Sequence, residues 1–279
     1  MGISRRRRRH FAAGTIRRLS HSADKTQDSR GYSPADFDFA WAAVDGVEGW
    51  MTRGQARMLW DVARSVPGGG RIAEIGSYRG RSAIVIALAA PQASEVVAID
   101  PHAGNDRGPQ QIEGTSDEGQ GDNDRFWANL RSAGVDSRVR HVRLPSQEAH
   151  GDVEDGLDML YIDGAHRYEP ALADIRDWGA RVKPGGTMLI HDSFSSVGVT
   201  LAQARLLFAS SEWRYEGRSR SLARYTRTSL AGGERLANLG GQLAELPWLA
   251  RNLLVKVLLT LRLRPVAALF DGGRGEWPY

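Results

Sequence analysis

The sequence predicts an α/β fold: a mostly parallel sheet with helices on both faces, closed by an antiparallel pair of strands. Three observations carry that prediction. Residues 71–82, RIAEIGSYRGRS, read as a short buried strand, a glycine turn and the opening of a helix. Apolar runs of strand length then recur with helical stretches between them, and they end on Asp100, Asp163 and the pair His191-Asp192. A last pair of runs, residues 213–216 and 222–227, flanks the turn-forming segment 217–221.

Each element has its own warrant. Residues 37–50 form an apolar and aromatic lead-in. Thr52 opens a helix, with Gln55 three positions on as a capping box, and Met58, Leu59, Val62 and Ala63 give it an apolar face. Pro67 and three glycines end it and feed the first strand. The helix after Gly80 runs to about Pro91, and residues 95–100 form the second strand. Residues 101–124 lack periodicity and are rich in Gly, Asp and Gln, which predicts a lid-like loop at the edge where ligands bind. Helix resumes over 124–133. Residues 138–144 and 158–163 are the third and fourth strands. Residues 168–182 are helical, with Lys183-Pro-Gly-Gly as the stop signal, and 187–191 form the fifth strand. Residues 197–208 are helical before the closing pair. The total is a seven-stranded, Rossmann-like sheet.

Three regions follow from this pass: a basic tail over 1–30, a core domain over 31–229 and a helical extension over 230–279. The tail reads as disordered and solvated, with an anchor to anionic lipid as the alternative. In the extension, residues 248–263 are apolar on nearly every face, interrupted by Arg251, Asn252, Lys256 and Arg262. Packing on the domain or on a second copy of the chain is the default expectation, and a membrane interface is the alternative.

Charge is uneven. Residues 1–22 carry seven arginines and no acid, and residues 246–270 carry Arg251, Lys256, Arg262 and Arg264 and no acid. The formal net charge is only +4, so the middle of the chain is acidic. That disfavours a nucleic-acid-binding core, which needs basic surface against phosphates. The chain has no cysteine, so disulfides and thiolate metal sites are excluded. Arginines at the start lack an apolar core behind them, so no secretory signal is read there. The expected location is cytoplasmic, with peripheral membrane contact through the basic ends as the alternative to solvated tails.

The chemistry gathers on one rim of the sheet. Gly76 and Gly80 let a ligand approach the backbone. The pattern is not GxGxxG, and a phosphate loop's Lys-Ser/Thr pair is missing, so neither a dinucleotide nor a nucleoside triphosphate is favoured. Asp100, 24 residues after Gly76, stands where an acid receives ribose hydroxyls. Asp163 and Asp192 end neighbouring strands, with His191 beside one and His166 three residues past the other. Two carboxylates and an imidazole at one point suit a divalent ion such as Mg²⁺ on Asp163, His191 and Asp192. His166, as a neutral imidazole, suits a general base.

The segments EIGSYRGRSAIVIA, VVAID, PSQEA, YIDGAH and HDS resemble the class I S-adenosylmethionine-dependent methyltransferases. Two groups of that class are the most similar. One comprises metal-dependent catechol-type and caffeoyl-CoA-type O-methyltransferases. The other is the macrocin O-methyltransferase and cephalosporin hydroxylase-like group, whose Asp-Gly-x-His-x-Tyr matches Asp163 to Tyr168. The resemblance spans about residues 45–228. It implies that Glu74, Gly76, Ser77, Tyr78, Gly80 and Ser82 line the methionine end of S-adenosylmethionine. Asp100 would hold the ribose, and Ser146 and Gln147 would flank the adenine. Asp163 would also touch the cofactor, act with His166 in catalysis and join Asp192 on a metal. His191 departs from the family, which places an oxygen ligand there; an imidazole favours a softer ion or none.

The reading is therefore an O-methyltransferase acting on a hydroxyl of a sugar or other natural product, with a small-molecule acceptor as partner, no nucleic acid, and a homo-oligomer as the expected assembly. A nicotinamide-dependent oxidoreductase and a membrane-associated protein keeping the fold for binding alone are the rivals.

Overall fold

A computed structural model of the chain describes residues 36–104 and 114–271. Among the described residues one sheet of seven strands orders as β3-β2-β1-β4-β5-β7-β6. The strands are β1 (Arg71–Ile75), β2 (Glu95–Ile99), β3 (Val139–Val142), β4 (Leu157–Ile162), β5 (Val182–Ile190), β6 (Trp213–Ser219) and β7 (Leu222–Arg227). The first five pair in parallel, and β7 runs antiparallel to both β5 and β6. Strand order reverses between β1 and β4, which opens a crevice beyond their carboxyl ends.

Alternation of period two divides the core into two layers. Ile72, Val96, Ala98, Met159, Tyr161 and Leu189 face α1 (Phe37–Ala43), α2 (Arg53–Ser65), α3 (Arg81–Ala89) and α4 (Ser116–Ser132). Ala73, Ile75, Val97, Ile99, Leu160, Ile162, Met188 and Ile190 face α5 (Tyr168–Ala173) and α6 (Val197–Leu206). Both faces are covered, so the central strands are mostly apolar, with Glu74 and Asp158 as buried exceptions. Helix α2 starts as expected: Thr52 and Gln55 form a reciprocal capping box.

Four boundaries differ from expectation. Helix α4 begins at Ser116, because Thr115 and Glu118 form a second capping box inside the segment read as loop. Its Gly119 has no room for a Cβ against the His102 carbonyl, so the glycine that argued for a loop marks close packing instead. The rest of the expected lid, residues 105–113, lies outside the described residues. The helix from Tyr168 widens into a π turn over Asp174–Trp178 and tightens over Gly179–Arg181. Strand β5 starts at Val182, and Lys183-Pro-Gly-Gly is absorbed at an irregularity opposite Leu157 and Met159. Strand β6 runs on to Ser219, which leaves Arg220 in the left-handed region and Ser221 as the turn.

The C-terminal helices are α7 (Gly232–Leu243), α8 (Leu246–Thr260) and α9 (Arg264–Asp271). Asn238 of α7 bonds the backbone of β6 at Tyr215 and Trp213. Asn252 and Lys256 of α8 donate to the carbonyls of Phe194 and Ser195, both at 2.9 Å, in the segment after β5. Among the described residues no helix is long and apolar enough to cross a membrane.

Candidate active site

The crevice between β1 and β4 opens into a cavity of about 740 Å³. Gly76, Ser77, Tyr78, Ser82, Asp100, Ser146, Gln147, Asp163, His166, His191 and Asp192 all line it. The size suits a ligand larger than a single nucleoside.

One end is built from backbone. Gly76 has φ 84°, and a Cβ there would meet the Asp163 carbonyl oxygen at 2.1 Å. The ends of β1 and β4 touch at this point, and only glycine allows it. Asp100, one residue past β2, then ties the turn together. Its Oδ2 accepts from the Ser77 N–H at 3.0 Å and the Tyr78 N–H at 2.8 Å, and its Oδ1 accepts from the His102 N–H at 2.8 Å. The His102 ring closes the loop, with Nε2 2.6 Å from the Tyr78 carbonyl. Tyr78 (φ 44°) and His102 (φ 45°) hold left-handed backbone that these bonds enforce.

Two residues assigned to this end do not line the cavity. Gly80 does not line the cavity. It starts α3 at φ 85°, and a Cβ would press on Leu130 at 2.6 Å, so its need for glycine comes from packing. Glu74 shares the face of Ile72 and lies beneath the cavity floor, fully buried, with neither carboxylate oxygen hydrogen-bonded. Burial pushes its pKa up to about 8; the nearby Ser82 and Ser77 hydroxyls offset that only in part. An unpartnered acid next to the glycine turn fits a cationic group such as the ammonium of S-adenosylmethionine.

Ser146 donates from Oγ to Asp174 Oδ1 at 2.5 Å, and Gln147 Nε2 approaches the same oxygen at 3.4 Å. Asp174, on the π turn, also lines the cavity, and burial raises its pKa to about 6. Sequence reasoning passed over it, since an aspartate inside an apparent helix gives no signal. The widened turn that aims it is a common mark of functional helices. Trp50, stacked near Tyr78 with centroids 5.7 Å apart, and Lys256 of α8 complete the wall.

The other end is built from side chains. Asp163 Oδ1 lies 3.0 Å from His191 Nδ1, and its Oδ2 accepts from the Tyr161 hydroxyl at 2.8 Å. His166 Nε2 lies 3.0 Å from Asp192 Oδ2 and 4.0 Å from Asp163 Oδ1. Asp192 itself sits at φ 54°, a left-handed corner at the end of β5. Burial opposes charge on His166, but Asp192 and Asp163 outweigh it and raise the pKa to about 10. Asp192 shifts the opposite way: burial raises it, yet His166 and then His191 hold it well below the usual carboxylate range. His166 and Asp192 thus form an ion pair at neutral pH. The expectation of a neutral His166 is corrected: its two carboxylate neighbours keep the proton on it.

Gln55 settles the state of His191. Its Oε1 accepts from the Thr52 N–H at 2.8 Å in the capping box, which fixes the amide orientation. The Gln55 NH₂ therefore faces Ser221 Oγ at 3.0 Å and His191 Nε2 at 3.2 Å. His191 Nε2 accepts, so its proton sits on Nδ1 and faces Asp163. The expected divalent-ion site on Asp163, His191 and Asp192 is not assembled here: Asp163 faces His191 and Asp192 faces His166, each at 3.0 Å. Among the described residues no group of three His, Asp or Glu side chains is arranged to hold a metal.

A family described as a methyltransferase domain matches residues 73–193, from β1 to just past β5. Over that stretch the chain is similar to a methyltransferase domain. Solved structures share its fold. A protein from Corynebacterium glutamicum is 14% identical, with a TM-score of 0.53 over 71% of this chain and 93% of the other. A Podospora anserina methyltransferase bound to SAH is 16% identical, with 0.51 over 71% and 89%. A candidate O-methyltransferase from Klebsiella pneumoniae is 16% identical, with 0.51 over 70% and 92%. An uncharacterized protein of Sinorhizobium fredii is 36% identical over 55 residues, which is 19% of this chain and 6% of that much longer relative. The match favours methyl transfer over the nicotinamide-dependent rival, against which the missing GxGxxG already argued.

Proposed function

We propose that the chain transfers a methyl group from S-adenosylmethionine to a hydroxyl oxygen of a sugar or other small natural product. One observation carries this reading: a single cavity joins a backbone-built turn, organised by Asp100, to a proton-handling pair, His166 and Asp192. The O-methyltransferase description of the Klebsiella relative supports the choice of oxygen.

Asp100, the Ser77–Tyr78 turn, Ser146, Gln147 and Asp174 would hold the cofactor's nucleoside, and Glu74 with Ser82 its amino-acid end. When bound, the cofactor would supply a methyl group on a sulfonium, whose carbon an acceptor oxygen would attack in line as the neutral thioether leaves. The domain's own task is to hold the acceptor oxygen and to take its proton, and alignment provides much of the rate. His166 takes that proton once it has released its own. Asp192 then stabilises the imidazolium that forms. Asp163, held by the Tyr161 hydroxyl and lying 3.0 Å from His191 Nδ1, keeps a second negative charge 4.0 Å from the His166 ring. No step needs a metal, because proton transfer and charge compensation are both present in these side chains.

The test begins with binding of S-adenosylmethionine to the full chain by calorimetry, followed by labelled methyl transfer to a panel of sugars and phenols. Binding together with label on an oxygen supports the reading. Absence of binding rejects it, and label on a nitrogen or carbon of the acceptor rejects the hydroxyl assignment.

A further inference from the structure

Asp192 sits on a strained piece of chain. It and Phe194 both hold left-handed backbone at φ 54°, and neither is glycine. Such residues cost free energy and persist only where their surroundings over-determine them. The amide side of this turn is fixed from within the core. The Ser193 N–H donates to the Ser221 carbonyl at 2.9 Å, and the Phe194 N–H to Thr200 Oγ1 at 3.1 Å.

The carbonyl side is fixed by α8. The Ser195 N–H and the Ser196 N–H both donate to the Asp192 carbonyl, at 3.1 and 2.9 Å. The carbonyls of those same two peptide units belong to Phe194 and Ser195, and they accept from Asn252 Nδ2 and Lys256 Nζ, each at 2.9 Å. Each peptide unit is therefore gripped at one end by α8 and grips Asp192 with the other. The Arg251 guanidinium donates to Asn252 Oδ1 at 3.0 Å, which leaves the buried Asn252 NH₂ to face Phe194. Phe194 and Ser195 are fully buried as well, so water cannot stand in for either donor. A planar peptide turns as one piece, so losing the grip on its carbonyl frees the N–H that holds Asp192. Helix α8 starts at Leu246, well past residue 193, where the match to a methyltransferase domain ends.

We propose that Asn252 and Lys256 are positioning residues, which hold Asp192 against His166 through these two peptide units. The His166 end of the cavity is then incomplete without the C-terminal extension, and Lys256, which also lines the cavity, brings α8 to its wall. The proposal rests on the methyl-transfer reading for what His166 does, though not for how Asp192 is held.

Proton NMR of the full chain tests it without acceptor or cofactor. The imidazole proton between His166 Nε2 and Asp192 Oδ2, which lie 3.0 Å apart, should give a signal far downfield that His166→Gln removes. Lys256→Met and Asn252→Ala each withdraw one donor and should abolish or broaden that signal. Lys256→Arg keeps a donor for the Ser195 carbonyl and should retain it. The amide signals of Ser77, Tyr78 and His102, at the other end of the cavity, should stay in place in all three. With an acceptor that turns over, Lys256→Met should lower kcat by about 10–100-fold at an unchanged KM for S-adenosylmethionine, the scale of loss when a working group moves by about 1 Å. A downfield signal that persists in both Lys256→Met and Asn252→Ala overturns the proposal. Loss of the signal together with displaced amides at the Asp100 end overturns it too, because the domain would then have loosened as a whole. Failure of S-adenosylmethionine to bind, with the downfield signal behaving as expected, would reject methyl transfer and uphold the positioning.

Discussion

The two ends of the cavity are held by different physics. At the Asp100 end, one carboxylate accepts three backbone N–H groups, and most of the geometry resides in main chain. At the His166 end, two carboxylates and two imidazoles position each other with little backbone help. The first arrangement depends on one side chain, Asp100, and on backbone freedom at the turn. The second responds to pH and to every substitution within it. A cofactor common to many reactions needs the first kind of site, and an acceptor-specific proton transfer needs the second.

The largest effect should come from separating the two ends. His166→Ala should lower the rate by about 10²–10⁴, the usual worth of a general base, and leave the Kd for S-adenosylmethionine nearly unchanged. A rate that survives would move the proton transfer elsewhere in the cavity. Asp100→Ala should do the reverse, costing about 1.5–3 kcal/mol of cofactor affinity through lost charge-assisted bonds, read by calorimetry. An unchanged Kd would make Asp100 a turn residue alone.

Acidity should sharpen the contrast next. His166 is raised to about 10, so its base form is scarce at neutral pH. The rate should climb by about tenfold per pH unit from neutrality towards pH 9–10 before levelling. The stability contributed by the His166–Asp192 pair has the matching sign: fully present below the ordinary histidine value of 6.5 and lost as pH rises through about 10. Activity should also survive EDTA; a loss that Mg²⁺ restores would return Asp163 and Asp192 to a metal.

The smallest effect concerns Glu74. Its pKa is raised from 4.5 to about 8, so the folded state binds the extra proton between those values and stability falls as pH rises across them. Glu74→Gln should therefore flatten the decline in Tm over that window without the cofactor. A decline of the same slope in the variant would place the titrating group elsewhere.

Much of this was legible in the sequence, and for a physical reason. Residues 71–82 announce a strand, a glycine turn and a helix through strictly local preferences, and the carboxyl-edge rule then gathers Asp100, Asp163 and Asp192 without coordinates. What failed was whatever depends on partners. Gly119 reads as a loop residue until the His102 carbonyl is known to press on it. Gly80 reads as a ligand contact until Leu130 occupies its Cβ position. His166 reads as a neutral base until two carboxylates are counted around it. Asp174 had no pattern at all, because only the π turn brings it to Ser146.

The capping box at Thr52 has a consequence beyond starting a helix. The Gln55 carbonyl that caps α2 leaves the amide nitrogen no choice but to face His191. Opening the first turn of α2 frees the amide to rotate, and with it the choice of which His191 nitrogen holds the proton. The chemistry at the far end of the cavity is thereby tied to the least secure part of any helix. Warming should thin the competent population before the sheet melts, and exchange of the Gln55 backbone amide, bonded to Thr52 Oγ1, should report that loss directly.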